Sequence, residues 1–355
     1  MPDSALTENL HSTIADLPPS YFAMVMATGI VSIASDLTGF GFLSRPLLWL
    51  NVGFYIVLWL LNLHRLVFYP ERFVADLNDH TRGAGYFTAV AGTCILGTQF
   101  TLLMGYQDLA ALLLVIGAGL WGLIIYAVMT AFAIRTDKPS LGDGITGGWL
   151  VAIVSTQSVS ILSGRIVSYF AGYEQLVLFF SFCMFLIGCM LYFIVITLIF
   201  HRFMFFPLKP QEFDPQYWIN MGAAAISTLA GAVLASNALG SELLGPMLPF
   251  IVGSTVLLWA FATWWIPLLV LLEFWRHVFR GVKLSYTPQY WSLVFPLGMY
   301  TTCTAHLSKV IGLDALLVIP HYFIYVALVA WAATLFGLVK ILVEALFTAF
   351  STPKL

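Results

Sequence analysis

Two basic residues, Arg165 and Lys309, and one histidine, His306, stand inside long apolar stretches of this chain. A charge in such surroundings is costly, so it points to function or to a reach for water. A cation at a channel mouth concentrates anions, and rings of Arg or Lys are a known route to anion selectivity. The alternative use is to snorkel outward to lipid headgroups. At about 100° per helical residue, Phe295, Thr302, His306 and Lys309 fall within about 60° of one another. One face then carries an aromatic ring, a hydroxyl, an imidazole and an ammonium. His306 could carry a proton, although a lone helical histidine is more often a hydrogen-bonded packing residue.

Hydroxyls recur at helical spacing elsewhere. Thr28, Ser32 and Ser35 fall at i, i+4 and i+7, and Thr156, Ser160 and Ser163 do the same. Asn220, Ala224, Ser227 and Gly231 make a narrow polar stripe. Polar stripes in lipid face protein or water, so these hydroxyls are expected to line a pore; small residues also serve close helix packing. Catalysis is not expected. None of the seven histidines pairs at i, i+4, and HExxH, GxSxG and GxxxxGK patterns are missing. The four cysteines, Cys94, Cys183, Cys189 and Cys303, all lie in apolar segments, where they read as small buried hydrophobes. No metal, cofactor or disulfide is therefore expected.

The elements that must hold these residues are transmembrane helices. With 60% hydrophobic and 9% charged residues over 355 positions, the chain is far too apolar for a soluble globule. Windows of about 20 apolar residues give ten spans: 20–37, 47–69, 83–104, 109–134, 144–171, 175–201, 217–239, 246–275, 289–311 and 316–347. Short links between them make sequence neighbours antiparallel hairpins. Arg65, Arg72, Arg82, Arg135, Lys138, Arg202, Lys209, Arg276, Arg280, Lys283, Lys340 and Lys354 lie on one side, and only Arg45, Arg165 and Lys309 on the other. The positive-inside rule then makes both termini cytoplasmic, in a cell (inner) membrane. The whole of 1–355 reads as one transmembrane domain, with a short cytoplasmic segment 1–18 lacking a secretory signal and a cytoplasmic end 348–355. A net charge of −2 without basic runs excludes nucleic acid. That leaves small solutes, membrane lipids or copies of the chain itself as partners.

A repeat is written into the charges. Arg65, Arg135, Arg202, Arg276 and Lys340 close the even helices at spacings of 70, 67, 74 and 64. Asp36, Asp108, Glu174, Glu242 and Asp314 mark the opposite turns at spacings of 72, 66, 68 and 72. Each unit of two helices returns to the same side, so the units are parallel repeats about an axis along the membrane normal. The fold expected is an all-α polytopic protein: ten helices as five hairpins in a pseudo-five-fold ring around a central pore. Odd helices are close to half Gly, Ala, Ser and Thr, whereas even helices carry about a fifth and are rich in Leu, Phe and Trp. The odd helices are thus expected inside. No acidic residue lies mid-span in them, which favours passive flow over ion-coupled pumping.

Particular strings add to this reading. PPSYFAMVMATGIVSIA at 18–34, TQSVSIL at 156–162, YWINMGAAAISTLAG at 217–231 and YWSLVFPLG at 290–298 resemble the family of tellurite-resistance proteins, C4-dicarboxylate and malic-acid transporters and plant guard-cell slow anion channels. The resemblance spans almost the whole chain. It implies five hairpins around a pore, with inner odd and outer even helices, in a homotrimer with one pore per subunit. It also implies that a phenylalanine on the ninth helix, just before a proline, occludes the pore. By the match to the Phe-Pro pair, Phe295 is that gate, and Pro296 removes a backbone hydrogen bond beside it. The first two strings of the dicarboxylate-like kind, around 24–34 and 217–223, look most like the C4-dicarboxylate branch. The long regulatory tails of the plant channels have no counterpart before the first helix, so kinase control of that type is not expected.

The expected function is an anion channel or channel-like transporter for inorganic anions, C4-dicarboxylates or both. The pore would be gated at Phe295 and lined by Thr28, Ser32, Ser35, Thr156, Ser160, Ser163, Ser227, Gly231, Thr302 and His306, with Arg165 and Lys309 as mouth cations. The rival is a proton-coupled malate or dicarboxylate carrier using His306 or Lys309 as a binding site. A membrane enzyme with a lipid substrate lacks its metal, nucleophile and carboxylate clusters.

Overall fold

The computed structural model describes residues 14–351, so most of the expected terminal segments 1–18 and 348–355 lies outside the described residues. The long helices are α1 (Ala23–Leu37), α2 (Gly41–Phe68), α3 (Phe87–Met104), α4 (Gln107–Ile134), α5 (Val151–Arg165), α6 (Glu174–Phe205), α7 (Ile219–Ala238), α8 (Leu248–Phe274), α9 (Trp291–Ile311) and α10 (Val318–Ser351). With their leading turns, eight stretches are long and apolar enough to cross a membrane by length and composition. α5 and α9, which carry Arg165, His306 and Lys309, are the two outside that set. The protein is accordingly an all-helical, multi-pass membrane protein.

Every odd helix is entered through one short turn of 3-10 helix: Pro19–Phe22, Gly83–Tyr86, Gly147–Leu150, Pro215–Trp218 and Pro288–Tyr290. Proline begins three of them, where its missing N–H costs nothing and its fixed φ suits a helix start. At the other end of each hairpin one glycine takes a left-handed conformation: Gly39, Gly105, Gly172, Gly240 and Gly312, with φ between 68° and 90°. A side chain there would be strained, so glycine sets the reversal. These five turns define one end of the molecule, the turn face. The starts of the odd helices and Arg65, Arg135, Arg202 and Arg276 define the other, the basic face.

α1 packs on α3, α3 on α5, α5 on α7, α7 on α9, and α9 on α1. Each even helix lies against the odd helix before it and the odd helix after it. The layers differ in burial: the apolar window of Pro215–Ala238 is 94% buried and that of Asp314–Ala345 is 11% buried. Large apolar side chains such as Leu60, Tyr126, Met190 and Phe336 are exposed on the even helices, as a surface that meets lipid requires.

At least one hydrogen bond ties each even helix to the next odd helix. Tyr55 bonds Thr93 at 3.0 Å, Trp121 Nε1 donates to Thr156 at 2.8 Å, and the Tyr192 hydroxyl donates to the Asn220 carbonyl at 3.1 Å. Trp259 Nε1 donates to Thr304 at 3.0 Å and Trp331 Nε1 to Thr28 at 3.1 Å. A buried indole or phenol needs such a partner. Trp121→Phe keeps the apolar body and deletes the donor, while Thr156 still bonds the Ala152 carbonyl. The expected loss of stability is about 0.6–1.7 kcal/mol, read as a few degrees in the thermal unfolding of the purified protein, with conduction unchanged.

Two of the basic residues that close the even helices are internal. Arg65 is 1% exposed, pairs with Asp76 and donates Nε–H to the Ala15 carbonyl at 2.9 Å. Arg202 is also buried; it donates to the Tyr217 hydroxyl and the Gly142 carbonyl and pairs with Glu212 at 3.3 Å. Loops fold back over these helix ends, so the guanidinium finds protein acceptors in place of headgroups.

Candidate functional site

The odd helices leave a recess at each end of the space between them. Toward the turn face it measures about 370 Å³, and all five odd helices contribute to it. Its wall is largely apolar: Ile30 and Ile33 from α1, Ile95 from α3, Ile161 from α5, Ile226 and Leu229 from α7, and Met299 from α9. Its polar groups are Thr98, Ser158, Thr302, Arg165 and His306. The three hydroxyls donate within their own helices, to the carbonyls of Cys94, Val154 and Gly298 at 2.9, 2.7 and 3.0 Å. The guanidinium of Arg165 is therefore the strong donor that this recess offers to a solute.

His306 positions that guanidinium. Its Nδ1 lies 2.9 Å from the Thr302 carbonyl, which can only accept, so Nδ1 carries the proton. Nε2 then holds a lone pair and accepts from Arg165 Nη2 at 2.6 Å. Both ring nitrogens are used, and the imidazole is neutral. Arg165 Nε is buried without a hydrogen-bond partner, and no carboxylate among the described residues pairs with the side chain. An uncompensated cation on an apolar wall is suited to a small anion. Lys309 is exposed at the turn face and does not line the recess.

The second recess opens on the basic face and measures about 730 Å³. It is lined by the segments that begin the odd helices, with Ser20, Arg82, Thr146, Asp214, Gln216 and Gln289 among its polar groups. Ser292, in the first turn of α9, also reaches it. Phe295 stands between the two recesses. Ser292 lines one and Met299 the other, whereas Phe295, 1% exposed, lines neither. It is the fifth residue of α9; the fifth residues of α1, α3, α5 and α7 are Ala27, Ala91, Ser155 and Ala223, all buried. One large ring thus shares its level with four small side chains. Two close helix contacts flank it. A Cβ on Gly222 of α7 would come 2.6 Å from Pro296 Cγ, and one on Gly298 would come 2.9 Å from Ile30 of α1.

The other residues expected to line the pore line neither recess. Thr28 faces α10 through Trp331, Thr156 faces α4 through Trp121, Ser32 donates to the Ser44 carbonyl of α2 at 2.7 Å, and Ser160 bonds Ser181 of α6. Gly231 faces α8, where an added Cβ would collide with Thr255. Ser35, Ser163 and Ser227 donate to carbonyls of their own helices. Thr302, His306 and Arg165 are the members of that set brought together in one recess, and the physical reason is that seams with the outer helices also accept hydroxyls. Sequence reasoning missed Thr98 and Ser158 on the recess wall and Asp214 at the basic face. An Asp immediately before Pro215 was a cap signal that could have singled out the last of these.

Comparison with known proteins gives the family. Residues 16–339 match the family described as voltage-dependent anion channel. An uncharacterized transporter of Methanocaldococcus jannaschii is 24% identical over 332 residues, covering 92% of this chain and 95% of its own length. An uncharacterized membrane protein of Mycobacterium tuberculosis is 38% identical over 144 residues, 41% of this chain and 73% of that protein. The sulfite efflux pump of Arthroderma otae is 22% identical over 342 residues, 90% of this chain and 88% of the pump.

Proposed function

This chain belongs to the voltage-dependent anion channel family, and from that membership we propose that its five odd helices ring a pore for small anions, closed midway by Phe295. The observation that carries the reading is the place of Phe295, buried between a recess that ends at Ser292 and one that begins at Met299. The cyclic packing of α1, α3, α5, α7 and α9 supports the ring, and the five entry turns with their five glycine reversals support its five-fold repeat. An aromatic side chain in a narrow apolar passage blocks ions sterically and keeps the passage dry.

The excess of Lys and Arg on the basic face supports a cytoplasmic location for it. The Arg165 recess is then the outer mouth of a pore in the inner membrane, in a protein assembled as a homotrimer. Arg165 draws anions to it, and the apolar wall beyond holds them weakly enough to let them leave. Chloride, nitrate and C4-dicarboxylates are the candidate ions, and the efflux pump among the relatives adds sulfite.

The test is the reversal potential of currents through the purified protein in a planar bilayer under chloride, nitrate, sulfite and malate gradients. Currents that follow the anion Nernst potentials are expected. Electrically silent protein that accumulates malate in liposomes against its gradient, driven by pH, would establish the coupled carrier in place of the channel.

A further inference from the structure

Asp214 is the one carboxylate lining the recess at the basic face among the described residues, and Arg82 is the one cation. The two are not equivalent. Arg82 is engaged by Asp76, with Nε 2.6 Å from one oxygen and Nη2 3.0 Å from the other, although Arg65 shares that carboxylate. Asp214 accepts the Gln216 backbone N–H at 2.9 Å, capping the turn that starts α7, and among the described residues no basic side chain stands within ion-pair distance of it. The starts of the five odd helices converge on the same recess, and their N-terminal dipoles favour anions. A carboxylate without an ion-pair partner has therefore been set into a mouth otherwise suited to anions.

The charge is not fixed. Burial raises the Asp214 carboxyl and Glu273 adds to the rise, the Gln216 N–H and the guanidinium groups of Arg276 and Arg202 offset part of it, and the net result is a carboxyl pushed up to about 6. Tyr217 of the same turn and Arg82 across the recess complete the titratable and charged groups around it. Near neutral pH the carboxylate is ionised; one to two pH units lower it becomes a neutral hydroxyl donor that can hydrogen-bond an anion.

Building on the pore reading, we propose that Asp214 is the proton-sensitive charge selector of the cytoplasmic mouth: ionised, it opposes the entry of anions, and protonated, it admits them. Anion flow out of the cell then rises when the cytoplasm acidifies, coupling conductance to the dissociation of weak acids, which releases a proton and an anion together.

The experiment measures chloride current through the wild type, Asp214→Asn and Phe295→Ala, with pH stepped from 7.5 to 5 only in the chamber that meets the basic face. A unit charge in a partly screened mouth changes local anion occupancy by about five- to tenfold. Wild-type current should grow by that factor as pH falls through about 6, and Asp214→Asn should hold the high level at every pH. Asparagine keeps the cap on the Gln216 N–H, so the variant is expected to fold. An infrared titration of the wild type supplies a second readout: a protonated-carboxyl band that grows in near pH 6 and is missing from Asp214→Asn. Equal pH dependence in wild type and Asp214→Asn overturns the selector and leaves the anion pore standing. A carboxyl band at the ordinary aspartate range overturns it as well. No anion current in any of the three proteins, Phe295→Ala included, overturns the pore and the selector together.

Discussion

Phe295→Ala should raise anion current by one to two orders of magnitude at the single-protein level. The ring lies between two recesses and shares its level with Ala27, Ala91, Ser155 and Ala223, so no other large side chain is positioned to take over the closure. Removing it joins the recesses through a passage lined by methyl-sized groups. A core Phe→Ala change in a soluble protein costs about 3–5 kcal/mol, much of it from the cavity left behind. Here the cavity is continuous with two recesses and can fill with water, so the loss should be smaller. Phe295→Leu, which keeps an apolar plug of lower volume, should give an intermediate current. Parallel recordings of the three proteins in planar bilayers, with thermal unfolding to check their folding, make the measurement. A well-folded alanine variant with wild-type current would remove Phe295 from the conduction path.

Why the sequence pointed to Phe295 and Arg165 but misdirected most of the hydroxyls follows from the geometry of an inner helix. Such a helix has two faces that tolerate polarity: the one toward the central space and the one toward the seam with the outer layer. A stripe at i, i+4 and i+7 fixes a face without choosing between them. On α1 the stripe runs through Thr28 and Ser32, bonded to Trp331 and Ser44 in the outer layer, while Ile30 and Ile33 line the recess. Ile30 is about 200° round the helix from Thr28. The same offset separates Thr156 and Ser160 on the α4 and α6 seams of α5 from Ser158 on the recess wall. The donors that decide the matter are indoles and phenols a helix away, which no local pattern reveals. The hairpin repeat was easier to read because charge placement is local: a basic residue ends each even helix and an acidic residue accompanies each turn. The glycines at 39, 105, 172, 240 and 312 carried the same period and went unused.

Arg165→Gln should lower anion current by tenfold or more and weaken discrimination against cations, and the expectation rests on how few donors the outer recess has. Thr98, Ser158 and Thr302 spend their hydroxyl hydrogens on their own helices, and His306 presents a lone pair to Arg165 instead of a proton to the solute. The guanidinium is then the source of the positive potential and of the N–H groups left over from its bond to His306. Glutamine is shorter, with its amide nitrogen at the level of Arg165 Nε, so the change removes the charge together with the bond to His306. Arg165→Lys should retain most of the anion preference, because the charge stays, but with altered ranking among chloride, nitrate and sulfite: an ammonium is a point charge and does not present the planar fork that matches two oxygens of an oxyanion. His306→Ala provides the complementary case. It leaves the cation and removes its support, so current should fall less than in Arg165→Gln. If the glutamine variant keeps wild-type reversal potentials and current, the guanidinium acts as a lipid-facing anchor and the anion-attracting potential must come from the helix termini at the opposite mouth.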